Sequence, residues 1–452
     1  MTKRITALIL ALTLVFALGA PAMSADDDPT EAADTAETLG ETADEAGTEE
    51  TEAEAVETEA AAEEADAAEA SAPASPDAKG TLSFANLGSR MLENDYSMRT
   101  VQESIDDIES HDYDWRSDNL KLRLNDIAGS QWWLVTKPVS SPLESISNSM
   151  ASNAMQSTYN QLSAQLDAVR NGDAQQDDEA ALRQYRNMQN LMIMGAEMRY
   201  IGLKTIEAND AALTRNLAAL DRGLATMRVS RDNGLVSALS VQELENSRAQ
   251  LVSGRQTLRM NWETNLLQLK ALVGTDLGEP LALGALPKVT AEQLAAMDLE
   301  ADLEKAMAGS YELFDAKRQI DDFRDGTYSD VLGALGSSDK IFEVSQVKHG
   351  LQALRYNYES AAQSFELKFR TLYAQVKDCA QILDAARSAL ALEEMNYAVS
   401  ALKCEQGTIS RNALADAADT LASAKDTVSG AERDLLTAYR SYYWAVEHGI
   451  VN

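Results

Sequence analysis

The sequence predicts an all-α fold of long, antiparallel, coiled-coil-like helical hairpins, built from two tandem copies of one unit. Three observations lead to this prediction. Two pairs of segments resemble each other at fixed distances along the chain. Apolar residues recur every seven positions after each of two Gly-x-x-Ser turns. A stretch of about 56 residues, 350–405, has no proline or internal glycine, which is typical of one long helix.

The first 25 residues predict a secretory signal peptide. Lys3 and Arg4 precede an apolar run from Ala7 to Gly19, and small residues follow as far as Ala25. The run of about 13 residues is shorter than the roughly 20 that a membrane-spanning helix needs. We therefore expect the mature chain to be exported.

Residues 26–79 predict an acidic, disordered linker, because they are nearly all Ala, Glu, Asp, Thr and Ser and offer almost nothing for a core. About 20 acidic residues accompany one lysine there, so much of the net charge of −33 belongs to this linker. It is either a solvated leash or a spacer that reaches a partner or crosses a wall. Nucleic acid is not an expected partner, because phosphate contacts need clustered Lys and Arg.

The internal repeat rests on two ungapped alignments. The segment starting at Asp95 aligns with the one starting at Ser310, an offset of 310 − 95 = 215. The turn starting at Gly234 aligns with the turn starting at Gly407, an offset of 407 − 234 = 173. The first copy therefore carries 215 − 173 = 42 extra residues, which we place within 113–178. The predicted copies are residues 80–290 and 291–452.

Each copy is predicted to be a hairpin of long helices that reverses at its Gly-x-x-Ser turn. Gly234 and Gly407 tolerate the positive φ that ends a helix, and Ser237 and Ser410 can cap the next one. The following helix of copy two carries one apolar row and, beside it, one alanine row: Leu414, Leu421, Val428, Leu435 and Tyr442, then Ala417, Ala424, Ala431, Ala438 and Ala445.

The order in which these turns and helices recur resembles the TolC-type outer-membrane efflux proteins. Those proteins look like two tandem copies of a unit made of a strand and a long helix, each with a Gly-x-x-[Ser/Thr] turn. The helix after Gly234 ends near Gly274, 274 − 234 = 40 residues later, as in that family. The connector 276–281 is also similar. The resemblance covers residues 80–452 in outline and identifies the chain as a divergent member.

The resemblance implies a homotrimer that forms a helical tunnel, with turns at its tip that dock a periplasmic adaptor protein and, through it, an inner-membrane transporter. The partner-binding residues carried over are Gly234, Leu235, Ser237, Gly407, Thr408, Ile409 and Ser410. These residues could instead serve only to turn the chain. The alternative function is a non-conducting scaffold or spacer of the cell envelope. The sequence does not identify the cargo.

One departure concerns the β-barrel that family members build before the ascending helix of each copy. A barrel strand needs about 9 to 11 residues of alternating polarity, and segment 325–344 has no such run. In copy one, the best candidate, residues 131–136, is short and is followed by Pro138. We therefore expect a missing or vestigial barrel. By resemblance we expect the chain in the outer membrane and periplasm. If the barrel is absent, we expect it at the outer face of the cytoplasmic membrane or in the cell wall.

Two tryptophans in that segment, Trp132 and Trp133, suggest either a boundary between wet and apolar surroundings or plugs that cap the end of a helical bundle.

Catalysis is not expected, and neither is a cofactor or a metal site. The three histidines, His111, His349 and His448, have no second ligand at metal spacing. The sequence contains no phosphate loop, nucleophile elbow or Cys-x-x-Cys pair. Cys379 and Cys404 are predicted to share one helix about 37 Å apart, which is too far for a disulfide.

Overall fold

A computed structural model describes residues 77–138, 141–328 and 341–451. The predicted signal peptide, nearly all of the acidic linker and the break predicted between Gly333 and Asp339 lie outside these residues. About 85% of the described residues are helical. The predicted fold class, long helical hairpins, is confirmed.

Two short strands and eleven helices are described, in chain order: β1 (Thr81–Leu82), α1 (Leu87–Asn94), α2 (Tyr96–Glu109), α3 (Tyr113–Thr136), α4 (Pro142–Asn171), α5 (Asp173–Asp232), α6 (Ala238–Leu272), β2 (Ala282–Leu283), α7 (Ala291–Ala295), α8 (Leu299–Gly309), α9 (Tyr311–Phe323), α10 (Ile341–Glu405) and α11 (Arg411–His448). One turn of π-helix, Arg324–Tyr328, follows α9.

The segments that align at an offset of 215 begin equivalent helices. The Asp95 carboxylate caps α2 by accepting the Ser97 N–H at 3.1 Å. The Ser310 hydroxyl caps α9 by accepting the Leu313 N–H at 3.4 Å. Helices α2 and α9 have 14 and 13 residues. The aligned residues therefore mark the same structural position in each copy, a capped helix start.

The four longest described helices with their Gly-x-x-Ser turns form a row in the order α6, α5, α11, α10. Helix α5 packs against α6, α10 packs against α11, and α5 also packs against α11. Arg215 of α5 forms an ion pair with Asp426 of α11, and Arg222 forms one with Asp419. The two hairpins thus lie side by side, joined through α5 and α11, with α6 and α10 at the edges of the row.

A buried polar cluster also joins α5 to α11. Arg440 donates two hydrogen bonds to the Glu197 carboxylate, at 2.6 and 2.9 Å, and the Trp444 indole N–H donates a third at 2.8 Å. Glu197 is only 7% exposed. The Arg440 guanidinium also lies 4.4 Å from the ring centre of Tyr443. A buried carboxylate needs such a set of donors, because it has lost its hydration.

A parallel pair of strands closes the first copy at its base. β1 pairs with β2, with Leu82 opposite Leu283. The hydroxyl of Tyr200 in α5 donates hydrogen bonds to the carbonyl oxygens of Leu82 and Gly284, at 2.9 and 3.1 Å. Tyr200 is fully buried in the first core, together with Leu82 and Leu269. Burial raises the pKa of the Tyr200 hydroxyl, so it stays protonated and keeps donating.

A second core, built around Phe365 and Phe369 of α10, packs against Leu435 and Tyr442 of α11. The predicted apolar and alanine rows of α11 are buried here and half-buried nearer the turn. Cys379 lies at the edge of this core as a free thiol, and burial raises its pKa.

Helix α10 begins earlier than predicted, at Ile341 rather than at Gly350, and has 65 residues. Gly350 lies inside it. A Cβ atom at this position would lie 2.9 Å from the Phe323 ring, so the glycine allows α9 to approach closely. The prediction of a helix boundary at Gly350 was therefore wrong, because this glycine serves packing.

The segment in which the extra residues of copy one are predicted contains a second helical hairpin, α3 and α4. Segment 131–136, the best candidate for a strand, belongs to α3. Helix α4 begins at Pro142, where the missing N–H costs nothing, and the Ser141 hydroxyl caps it. Leu120 and Leu124 of α3 contact Leu166 and Val169 of α4 in a small core next to the long helices.

The structure places the two tryptophans near the end of this hairpin. Trp132 and Trp133 are 69% and 56% exposed in the single chain.

Candidate functional site at the hairpin tips

The turn of copy one is a helix C-cap followed directly by a helix N-cap. Gly234 has a φ of +75°, and its N–H bonds to the Arg231 carbonyl at 2.8 Å. The Leu235 N–H reaches back to the Ser230 carbonyl, also at 2.8 Å. This pair of hydrogen bonds is the Schellman motif, which satisfies the last carbonyl groups of a helix. The Ser237 hydroxyl then accepts the Ser240 N–H at 3.1 Å and starts α6.

The turn of copy two has the same hydrogen bonds. Gly407 has a φ of +72°, and its N–H bonds to the Cys404 carbonyl at 3.0 Å. The Thr408 N–H bonds to the Lys403 carbonyl at 2.9 Å, and the Thr408 hydroxyl donates to the same oxygen at 2.7 Å. The Ser410 hydroxyl accepts the N–H of the third residue after it, at 3.1 Å. The predicted reversal and cap are thus present in both turns.

The structure brings the two turns to the same level at one end of the helix row. Gly234 lies 234 − 222 = 12 residues after Arg222, and Gly407 lies 419 − 407 = 12 residues before Asp419, the ion-pair partner of Arg222. The pair formed by Arg215 and Asp426 gives the same match, 234 − 215 = 19 and 426 − 407 = 19. Since helical rise per residue is constant, equal counts mean equal height.

The seven predicted site residues therefore divide by role. Gly234, Gly407, Ser237 and Ser410 make the turns. Leu235, which is 76% exposed, and Thr408, which is also exposed, point away from the cores at the two tips. Ile409 is half-buried beside them, as is Val236 at the equivalent position of the other tip. A partner that approaches this end would meet an exposed leucine at one tip and an exposed threonine at the other.

Ion pairs hold the helix pair below the first tip in register. Arg255 donates two hydrogen bonds to Asp210, at 2.7 and 3.1 Å, and Arg248 donates to Asp221 at 2.6 Å. These hydrogen bonds, more than charge alone, lower the pKa of Asp210 and of Asp221. Each pair links α5 to α6, so together they resist sliding of one helix past the other.

Both edges of the helix row expose apolar side chains. On α10, near the tip, exposed residues lie at alternating spacings of three and four, which is the pattern of a coiled-coil seam: Leu392, Met395, Val399 and Leu402. On α6 the exposed apolar residues are Leu239, Val252, Met260 and Leu267. These two edge faces have the composition of helix contacts but no partner helix among the described residues.

The ion pairs between α5 and α11 were not predicted from the sequence, although a signal was present. Arg215 and Arg222 are seven residues apart, and so are Asp419 and Asp426. Opposite charges repeated at this spacing on two long helices are typical of helices that pair over two or more turns.

Comparison with solved structures finds the same arrangement of long helices elsewhere. A membrane protein from Pseudomonas aeruginosa matches with a TM-score of 0.50 at 12% identity, over 80% of this chain and 90% of that one. The two share a fold. CusC, which forms a transmembrane channel, matches at 0.47 and 13% identity, over 80% of this chain and 91% of that one. The outer-membrane channel OprN matches at 0.45 and 14% identity, over 81% of this chain and 90% of that one.

These three solved structures are a membrane protein and two channels. The TolC-type resemblance predicted from the sequence is confirmed at the level of the fold. No protein-family model and no curated protein sequence matches the chain. Within the described ranges, no helix combines the length and apolar character that crossing a membrane requires.

Proposed function

We propose that the chain is the duct component of an envelope export system. Three copies close into a helical tunnel, and the six tips at its end receive a periplasmic adaptor protein, which couples the tunnel to an inner-membrane transporter. The observation that carries this proposal is the helix row itself, which has two level tips at one end and an apolar face along each edge.

The open edges argue for self-assembly. The row of four helices exposes one apolar face on α6 and another on α10. Both faces are covered when α6 of one copy packs against α10 of the next. Such an interface is heterologous, so copies either close into a ring or continue without end. The number three comes from the family resemblance.

The tips argue for docking. Main-chain hydrogen bonds close each turn, so the side chain of Leu235 is not needed to hold the reversal, and the Thr408 hydroxyl only adds a second donor to the Lys403 carbonyl. Two level tips on each of three copies would form a ring of six nearly equivalent turns. An adaptor built of helical hairpins could pack between neighbouring turns in the same way that the helices of the row pack on each other.

Assembly is tested by mass. We expect the purified mature chain at micromolar concentration to have three times the monomer mass by light scattering or native mass spectrometry. Met395→Glu together with Leu402→Glu should convert the trimer into monomers, because a buried charge opposes packing of this seam. Glu replacements at Leu122 and Thr100, which are exposed and lie outside the row, serve as the matched control and should leave the trimer intact. A monomer at high micromolar concentration would contradict the assembly.

Docking is tested by placing charge at both tips. Leu235→Glu combined with Thr408→Glu should abolish export of a pump substrate from the source cells. The free energy of unfolding should change by no more than about 1 kcal/mol, since both side chains are exposed and the one hydrogen bond lost runs from the Thr408 hydroxyl to the Lys403 carbonyl, which keeps its main-chain donor. The same control pair, Leu122→Glu with Thr100→Glu, should export normally. If the tip variant folds, assembles and exports like the parent chain, the docking assignment is wrong and the scaffold function is the better one.

A further inference from the structure

The distal half of the α3–α4 hairpin has neither a core nor free charge. Between Ile127 and Leu166, none of the described residues with a defined side-chain exposure is buried. In the same interval of the sequence, Lys137 and Glu144 are the only charged residues, in a chain that is 25% charged overall. The buried residues of the small core that joins α3 to α4 lie outside this interval, and only Tyr159 and Leu162 reach that core from within it.

The two charges at the end of the hairpin cancel each other. The Lys137 ammonium lies 3.1 Å from the Glu144 carboxylate, so the two side chains bridge α3 to α4 across the turn. The same ammonium lies 5.3 Å from the centre of the Trp133 ring. The end of the hairpin is therefore electrically neutral and carries its only cation against an aromatic face.

Large apolar side chains are exposed at this neutral end. We call them the tip cluster: Trp132, Trp133 and Val135 of α3, with Ile146 and Met150 of α4. The Gln131 amide donates hydrogen bonds to the Ser152 carbonyl and to the Gln156 side chain, both at 3.2 Å, so α3 and α4 lie side by side in this part of the hairpin. Both helices therefore contribute exposed apolar side chains to the same end of the hairpin.

We propose that the tip cluster inserts into the interfacial layer of a lipid bilayer. Tryptophan favours the headgroup level, where its ring is buried and its N–H can still find a partner. Aliphatic and thioether side chains beside it add apolar area that the lipid covers. Uncharged Ser, Asn, Gln and Thr along the rest of the distal half can form hydrogen bonds in the polar headgroup layer.

A lipid surface fits this end better than a protein surface on two counts. Two neighbouring tryptophans are exposed at an uncharged helix end, and tryptophan is enriched where a bilayer meets water. The hairpin also departs from the helix row at the N-terminal end of α5, the opposite end of that helix from the Gly234 turn. An adaptor at the tips and a bilayer at the α3–α4 hairpin would then occupy different ends of α5.

Vesicle binding by the purified mature chain tests the proposal. Flotation with phosphatidylcholine vesicles should recover the chain in the lipid fraction, with a blue shift of tryptophan emission and quenching by lipids brominated on their acyl chains. Trp132→Ser with Trp133→Ser should weaken partitioning by about tenfold or more, because two large rings leave the lipid. Because the tip cluster carries no net charge, binding should persist at high salt.

The matched control is Trp115→Ser. Trp115 lies on the same helix and is 65% exposed, but it stands at the charged base of the hairpin. This variant should bind vesicles like the parent chain. Retained binding in the Trp132, Trp133 double variant would overturn the proposal, as would equal loss in both variants. If the parent chain does not bind vesicles and the double variant instead loses trimer mass, the proposal fails and the tip cluster is a contact between copies of this chain. This test does not depend on the docking of an adaptor.

Discussion

Replacing Glu197 with leucine is expected to lower the free energy of unfolding by about 3 to 5 kcal/mol, because it leaves the Arg440 guanidinium buried without its carboxylate and removes the acceptor of the Trp444 N–H. Urea unfolding followed by circular dichroism, at fixed protein concentration, measures the loss. The effect should appear in the monomeric Met395, Leu402 variant as well, since the cluster lies within one chain.

Two further variants show whether the loss comes from an unpaired charge. Glu263→Leu breaks an exposed pair with Arg259, 3.4 Å apart, and should change the stability by less than about 1 kcal/mol. Glu197→Leu combined with Arg440→Met should recover most of the loss, since both charges are then gone. A double variant as unstable as Glu197→Leu alone would mean that the shape of the cluster, rather than its charge, holds α5 to α11.

Gly449→Ala is expected to destabilise the chain by about 3 kcal/mol or more, from two causes. Gly449 ends α11 with a φ of +64°, which a side chain opposes. A Cβ atom there would also lie 2.3 Å from the Ser310 backbone nitrogen and 2.4 Å from the Gly309 carbonyl carbon. Because both neighbours are backbone atoms, neither can turn aside, and the junction between α8 and α9 would have to shift.

The matched control is Gly407→Ala. Gly407 has a similar φ of +72°, but a Cβ atom at this position would have nothing within 4 Å, so only the conformational cost remains, about 1 kcal/mol. Thermal unfolding of both variants separates the two causes. Equal losses in the two variants would mean that the contact with Gly309 and Ser310 relaxes without cost.

The parts of the fold that the sequence predicted are those encoded by local, repeated patterns. The turns at Gly234 and Gly407 follow from a glycine three residues before a serine, because positive φ and capping are properties of single residues. The alignment of Ser310 with Asp95 paired two segments that each begin a capped helix, although the caps themselves were not predicted. The seven-residue periodicity of α10 and α11 gave the hairpin of copy two for the same reason.

What the sequence did not predict depends on contacts between distant residues. In the sequence, Gly350 indicates the start of a helix. Only the structure shows that this glycine lies inside a helix and packs against Phe323. The α3–α4 hairpin has weak apolar periodicity, since its distal half has no core, so its helices were not foreseen. Glu197 and Arg440 are 440 − 197 = 243 residues apart, and no local pattern links them. At the tips, the exposure of Leu235 follows from the turn geometry. The identity of the partner proposed to dock there does not follow from that geometry.

The pairing of β1 with β2 sets an order for folding. The two strands are separated by about 200 residues, 282 − 81 = 201, and closing so long a loop by itself has a large entropic cost. Synthesis runs from the N-terminus, so β1 is available long before β2. Formation of the α5–α6 hairpin shortens this gap, because it returns the chain to the base and leaves α1 to α4 and the connector to β2 between the two strands. We therefore expect β1 to pair with β2 only after the first hairpin has formed. Until then, the predicted acidic linker is followed by an unpaired strand.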